Sequence, residues 1–247
     1  MWFVRDVPGI ACAVSTWLLV LSGAGLLLVE QLWPAQDAAY GWAHGALSHL
    51  LAFLALAAHL RTMLTDPGAL PEGSESSLGV TPRCPQCGAV PQPLAHHCFV
   101  CGRCIRRADH HCPWVNNCVG EDNRKYFVLF TLYTALAALH VLLLLAVPAL
   151  RAYAQGLWDP HAPPRPRAPR VFLFFVALEG FLFATLMFAV QMHSICTDQS
   201  RRGSGGTTCS SVWMNLKDVL GHPASLAWMS PFVSPEPQRA SGHHDVV

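Results

Sequence analysis

The sequence predicts an all-α polytopic membrane protein with four transmembrane helices and a small cysteine-rich domain between the second and third. Three observations predict it. Of 247 residues, 52% are hydrophobic and only 13% are Asp, Glu, Lys or Arg, about half the charged share of an ordinary soluble domain. Four long stretches carry almost no charge. Seven of the ten cysteines, with four histidines, fall between Cys84 and Cys118. The formal charge of +1 supplies no basic field of the kind that attracts nucleic acid, so a nucleic-acid partner is excluded.

The first stretch, 7–29, lies between Asp6 and Glu30, and the second, 38–60, between Asp37 and Arg61; neither holds a charged residue. Crossing the hydrocarbon core takes roughly 20 apolar residues, so both are read as transmembrane helices. A buried core helix is the alternative, but globular helices average roughly 11 to 12 residues. The first stretch is also too long for a signal-peptide apolar region, which spans about 7 to 15 residues. Residues 126–150, between Lys125 and Arg151, form the third span. The fourth run, 171–197, is interrupted only by Glu179, and its helix is assigned to 171–193. A buried carboxylate is costly in lipid, so Glu179 is expected to pair inside the bundle, with His49, His59 and His140 as the available partners. Residues 71–81 and 160–169, rich in Gly, Ser or Pro, read as connectors.

Lys and Arg set the orientation. Twelve of the 16 fall in the N-terminus, the 61–125 segment and the tail from 198 to 247, against four in the loop between the third and fourth spans. The positive-inside rule therefore puts both termini and the cysteine-rich domain, 83–119, in the cytosol. Thiols stay reduced there, which favours metal ligation over disulfides.

Within that domain lie Cys84, Cys87, Cys98, Cys101, Cys104, Cys112 and Cys118, with His96, His97, His110 and His111. Three Cys-x2-Cys steps are a strong zinc signal, because each lets a tight turn point two thiolates at one tetrahedral ion. Eleven candidate ligands exceed the eight that two closed sites use. Spacing alone leaves the sorting open; Cys84, Cys87, Cys98 and Cys101 make an equally good four-cysteine site. Asp109-His110-His111-Cys112 places a carboxylate, an imidazole and a thiol within four residues, so an acid can orient a base beside a nucleophile. The same spacing also permits His110 and Cys112 to be further zinc ligands.

Asp109-His110-His111-Cys112, followed by Pro113-Trp114 and preceded by this Cys/His pattern, resembles the DHHC family of protein S-acyltransferases. Thr65-Asp66-Pro67-Gly68 is similar to that family's DPG motif. Met1-Trp2-Phe3-Val4-Arg5-Asp6, His193-Ser194-Ile195-Cys196-Thr197-Asp198 and Trp213-Met214-Asn215-Leu216-Lys217 are similar to its Golgi-specific members. The resemblance implies a multi-pass endomembrane protein of the Golgi and two structural zinc ions. One is held by Cys84, Cys87, His97 and Cys104, the other by Cys98, Cys101, His111 and Cys118. It further implies Cys112 as nucleophile, His110 as base and Asp109 as orienter, with no role for His96.

The implied chemistry is protein-cysteine S-palmitoylation. Cys112 takes the acyl group of palmitoyl-CoA or another long-chain acyl-CoA and passes it to a cysteine of a membrane or peripheral substrate protein at the cytosolic face. Trp114, Ala135, Ala137 and Ala138 are candidates to line the acyl-chain cavity, although small residues in membrane helices also serve helix packing. Arg103, Arg106, Arg107, Arg124 and Lys125 are candidates to meet the phosphates of CoA or of lipid headgroups. Cys196-Thr197-Asp198-Gln199 stands where many family members carry Thr-Thr-x-Glu, and the first helix begins without the longer cytosolic arm of the nearest relatives. Two other classes are weighed. A membrane-anchored zinc-binding adaptor would need eight ligands and no spare thiol, and a transporter finds its only support in Glu179. Finally, His244-Asp245-Val246-Val247 offers a free carboxylate and apolar last side chain suited to a PDZ-type groove.

Overall fold

The computed structural model describes residues 2–29, 38–72, 83–90, 92, 94–156, 168–198 and 208–235. The two connectors fall largely outside these, and the C-terminal 236–247 wholly so. Helix α1 (Val7–Leu27) starts where the Asp6 carboxylate accepts from the Gly9 backbone N–H at 2.9 Å, with Pro8 in the first turn, where a missing N–H is harmless. Helices α2 (Ala38–Leu64), α3 (Arg124–Ala154) and α4 (Ala168–Thr197) complete four membrane-spanning helices. The last three overrun the charge-free runs. Helical hydrogen bonding does not stop where the hydrocarbon does, and α3, with 31 residues, is about 46 Å long against a core of about 30 Å.

Helix α3 is the centre of the bundle, packed along α2 on one side and α4 on the other, while α1 touches both α2 and α4. On α4 the buried residues Ala177, Ala184 and Gln191 recur every seven positions and define its inward seam. Glu179, two residues from Ala177, points about 200° away from that seam. It is exposed, with no hydrogen bond or ion pair to any described residue. The expected internal partner is therefore not found: His140 meets His44 and Ser48, His49 meets the Gly45 carbonyl, and His59 meets Trp17 and Trp114.

Between α2 and α3 the chain forms two antiparallel hairpins, β1 (His96–Cys98) with β2 (Arg103–Ile105) and β3 (His110–Cys112) with β4 (Asn117–Val119). Thr65-Asp66-Pro67-Gly68 fastens them to the bundle. The Asp66 carboxylate accepts from the Gly68 and Ala69 N–H groups at 2.9 and 2.7 Å, Gly68 takes a positive φ of 100°, and its carbonyl accepts from Arg106 N at 2.9 Å. Asn117 secures the other side. Its amide donates to the carbonyls of Thr62, Met63 and Thr65, at 3.0, 3.2 and 2.9 Å, satisfying oxygens that the end of α2 leaves without partners. A core of Ala55, Ala58, Cys112, Val115, Val119, Phe127, Phe130 and Tyr133 then seats β3 and β4 between α2 and α3.

Helix α5 (Thr208–Leu220) follows α4. Asn215 donates to the carbonyls of Ile195 and Asp198 at 2.9 Å each, closing the end of α4. The segment beyond returns to α3: Lys125 Nζ donates to the carbonyls of Ala227 and Val233, and Phe232 stacks on Phe53 of α2.

Candidate active site and metal centres

The hairpin registers pair His97 with Cys104 and His111 with Cys118. Residues directly opposite in a hairpin stand about 5 Å apart with side chains on one face, so each hairpin contributes one imidazole and one thiol as a unit. Cys84 and Cys87 join the first unit and Cys98 and Cys101 the second, and within each set of four the ligand atoms lie within 4.8 Å of one another. Tetrahedral zinc with ordinary bond lengths sets edges of about 3.8 Å between two sulfurs and about 3.6 Å between sulfur and imidazole nitrogen.

The observed separations suit such an ion. In the first set Cys84 Sγ to His97 Nδ1 is 3.6 Å, Cys87 Sγ to Cys104 Sγ 3.6 Å and Cys104 Sγ to His97 Nδ1 3.9 Å. In the second, Cys98, Cys101 and Cys118 lie 3.8, 3.5 and 3.6 Å from His111 Nδ1, with Cys101 3.4 Å from Cys118. Sulfurs this far apart are not disulfide-bonded. Both sets can hold a metal ion, and their members alternate along the chain. His96 lies in neither.

Cys112 is the only one of the segment's seven cysteines in neither set. Strand alternation explains why: on β3, His111 points to one side and His110 and Cys112 to the other. His110 Nδ1 donates to Asp109 Oδ2 at 2.7 Å, and its ring stands edge-on to Phe127 at 5.4 Å. Its Nε2 is buried without a conventional hydrogen-bond partner. The Asp109 hydrogen bond, followed by the nearby Cys112 thiol, pushes the His110 pKa up to about 9. Asp109 moves the opposite way, held below the usual carboxylate range first by the His110 bond and then by Gln191.

Such a constellation, with a thiol beside a base and an acid behind the base, matches what the chain's relatives are. The DHHC palmitoyltransferase family model matches residues 81–204. The whole chain is 45% identical to palmitoyltransferase ZDHHC3 of Rattus norvegicus, covering 88% of it. Over 94% of the chain it is 44% identical to palmitoyltransferase ZDHHC7 of the same species, covering 81% of that protein. It is also 30% identical, over 64% of its length, to the probable protein S-acyltransferase 12 of Arabidopsis thaliana, 62% of which is covered. The chain belongs to the DHHC palmitoyltransferase family.

Other residues singled out in this palmitoyltransferase divide by position. Trp114 is partly exposed beside Phe183 of α4, at 6.2 Å between rings, and its carbonyl accepts from His59 Nε2 at 2.8 Å. Ala138 faces Gly180 across the α3–α4 contact, with 3.9 Å between its Cβ and one built on the glycine, so it serves packing; Ala135 and Ala137 are half-buried on α3. Arg103 pairs with Glu72, Arg106 with Glu121 and Asp122, and Arg107 with Asp198. Arg124 and Lys125 turn inward. Lys125 is 1% exposed and holds two backbone carbonyls, and Arg124, 9% exposed, bonds Gln191 and Ser194. Arg124 nevertheless lines, with Arg107, Glu121 and Asp198, a small pocket at the surface.

Sequence reasoning passed over Asn117 and Gln191, and named His59 only as a partner for Glu179. Each is a fully buried polar residue, and His59 and Gln191 sit inside otherwise apolar runs. That isolation is the signal they carried.

Proposed function

We propose that this palmitoyltransferase moves a long-chain acyl group from acyl-CoA to cysteines of membrane or peripheral substrate proteins through a thioester on Cys112. The observation that carries the reading is that Cys112 lies outside both ligand sets yet shares its strand face with His110. An imidazole raised to about 9 is basic enough to take a thiol proton near neutrality. The Cys112 thiolate attacks the thioester carbonyl, the bond from that carbon to the CoA sulfur breaks, and His110 returns the proton to the departing CoA thiolate. In the second half, His110 takes the proton of the substrate cysteine, whose sulfur attacks the acyl carbon and releases Cys112. One thioester replaces another in each half, so no external energy source is needed.

The two sets of four are proposed to bind structural zinc, which holds the hairpins that aim Asp109, His110 and Cys112. Four protein ligands per ion leave no position for a reacting water. For the CoA phosphates, the half-exposed Arg103 and Arg106 are the accessible cations. An acyl chain entering beside Trp114 is stabilised by about 0.8 kcal/mol per buried CH2. The distribution of Lys and Arg supports both termini and this site facing the cytosol, and the resemblance to Golgi-specific members supports a Golgi location. The C-terminal Asp245-Val246-Val247 is proposed to enter a PDZ-type groove; equal recovery of PDZ proteins by the tail peptide with and without Val247 would remove that idea.

The deciding test is the intact mass of the purified chain after incubation with palmitoyl-CoA. One hydroxylamine-labile palmitoyl group should appear on the wild type and none on Cys112→Ser.

A further inference from the structure

We propose that Gln191, on the fourth transmembrane helix, is a positioning residue for Asp109, so that the α3–α4 seam sets the orientation of the His110 base. The proposal rests on the Cys112 acyl-enzyme reading. Gln191 is fully buried at the end of the seam that begins with Ala177 and Ala184. Its Nε2 donates to Asp109 Oδ2 at 2.6 Å, and its Oε1 accepts from Arg124 Nε at 3.1 Å. Arg124 donates in turn to Ser194 Oγ at 2.8 Å, one turn further along α4.

These partners leave the amide one orientation. A guanidinium only donates and a carboxylate only accepts, so flipping the amide would turn both contacts repulsive. The same Asp109 oxygen takes the His110 Nδ1 bond at 2.7 Å. Beyond this bond the imidazole has only the nearby Cys112 thiol, with no nitrogen or oxygen partner at Nε2. Its direction therefore depends on where Asp109 Oδ2 stands. Asp109 keeps a quarter of its side chain exposed and, without the Gln191 donor, is free to swing toward water and take the imidazole with it. Arg124, Gln191, Asp109 and His110 thus form one line running from α3 through α4 to the thiol, and no sequence motif announces it.

The test uses the zinc-loaded full chain in detergent and two readouts: the rate of acyl-enzyme formation from palmitoyl-CoA, and the rate of Cys112 alkylation by iodoacetamide, followed by peptide mass. Gln191→Leu removes both polar contacts. Gln191→Glu matches the volume and still accepts from Arg124, but sets a second carboxylate against Asp109 where the amide donor stood. Both should slow the two reactions by about tenfold or more, with two zinc ions retained and KM for palmitoyl-CoA changed by less than about twofold. In an Asp109→Ala background, either substitution should change the rates by less than about twofold, because the residue it acts through is gone. Should Gln191→Leu lose its zinc, Gln191→Glu decides alone. Wild-type rates, or equal slowing with and without Asp109, would overturn the proposal. Full rates in Asp109→Ala itself would overturn the catalytic reading beneath it, whereas a slow Asp109→Ala beside fast Gln191 variants removes only the relay.

Discussion

His59 offers the sharpest test of how the bundle holds the reactive strand. It lies on α2, fully buried, accepting from Trp17 Nε1 of α1 at 3.1 Å through Nδ1 and donating to the Trp114 carbonyl at 2.8 Å through Nε2. An indole N–H only donates and a carbonyl only accepts, so the imidazole is fixed as the Nε2–H tautomer. His59→Phe keeps a ring edge-on to Phe130, now at 5.1 Å, but strands one donor and one acceptor. Each buried unsatisfied group costs about 1–3 kcal/mol, so the loss is about 2–6 kcal/mol. For a chain of this length that is a fall in melting temperature on the order of 10 °C. The two bonds separate by geometry. Gln places its amide near the Nε2 position and Asn near Nδ1, so His59→Gln should keep the Trp114 carbonyl anchored and His59→Asn should keep Trp17. Trp114 is two residues from Cys112, so acyl-enzyme formation should follow the Trp114 bond: retained in His59→Gln, slowed in His59→Asn and His59→Phe. Thermal unfolding of the detergent-purified protein and intact-mass kinetics measure the two effects. A His59→Phe variant that melts with the wild type and acylates at its rate would refute the reasoning.

Cys112→Ser should retain two zinc ions and folded yield while losing the acyl adduct, whereas Cys118→Ser, six residues away, should lose metal and fold; metal analysis with intact mass distinguishes them, and zinc release by Cys112→Ser would contradict the assignment. Gly120→Ala should cost about 1–3 kcal/mol and loosen the second hairpin, because its Cβ would stand 2.3 Å from the Pro67 carbonyl oxygen and 2.7 Å from Ile105 Cγ2; unchanged zinc retention under a competing chelator would show the contact to be unimportant. The raised His110 pKa means that its pairing with Asp109 stabilises the folded state fully below the ordinary imidazole value of 6.5 and less as pH climbs through about 9. The melting-temperature gap between wild type and His110→Ala should therefore narrow over that range, and a constant gap would argue against the ion pair.

The four spans were legible because a membrane demands long uncharged runs, and the family pattern was legible because ligand residues are held at short spacings. Spacing did not separate the interleaved sets from a four-cysteine site made of Cys84, Cys87, Cys98 and Cys101. The separation comes from hairpin register, which pairs residues seven apart across turns. Arg124 and Lys125 read as surface cations because they border an apolar run, yet their partners, Gln191 and the backbone of Ala227 and Val233, lie 67 or more residues away. Glu179 failed in the opposite sense. Its cost in lipid was legible, but which way it points depends on the rotation of α4 about its axis, which Ala177, Ala184 and Gln191 decide together.

The interleaving also bears on how the domain assembles as the chain emerges. Cys84, Cys87, Cys98 and Cys101 all precede Cys104, His111 and Cys118 in the chain, so a nascent chain that met metal early would have four thiols for a complete but wrong chelate. Pairing of β1 with β2 is incompatible with that chelate. Consecutive strand residues point to opposite sides, so once His97 faces Cys104, Cys98 is turned away from the first ligand set and left for the second. The hairpin register would thus sort the ligands, and the order of events that it would favour is strand pairing first and metal capture afterwards.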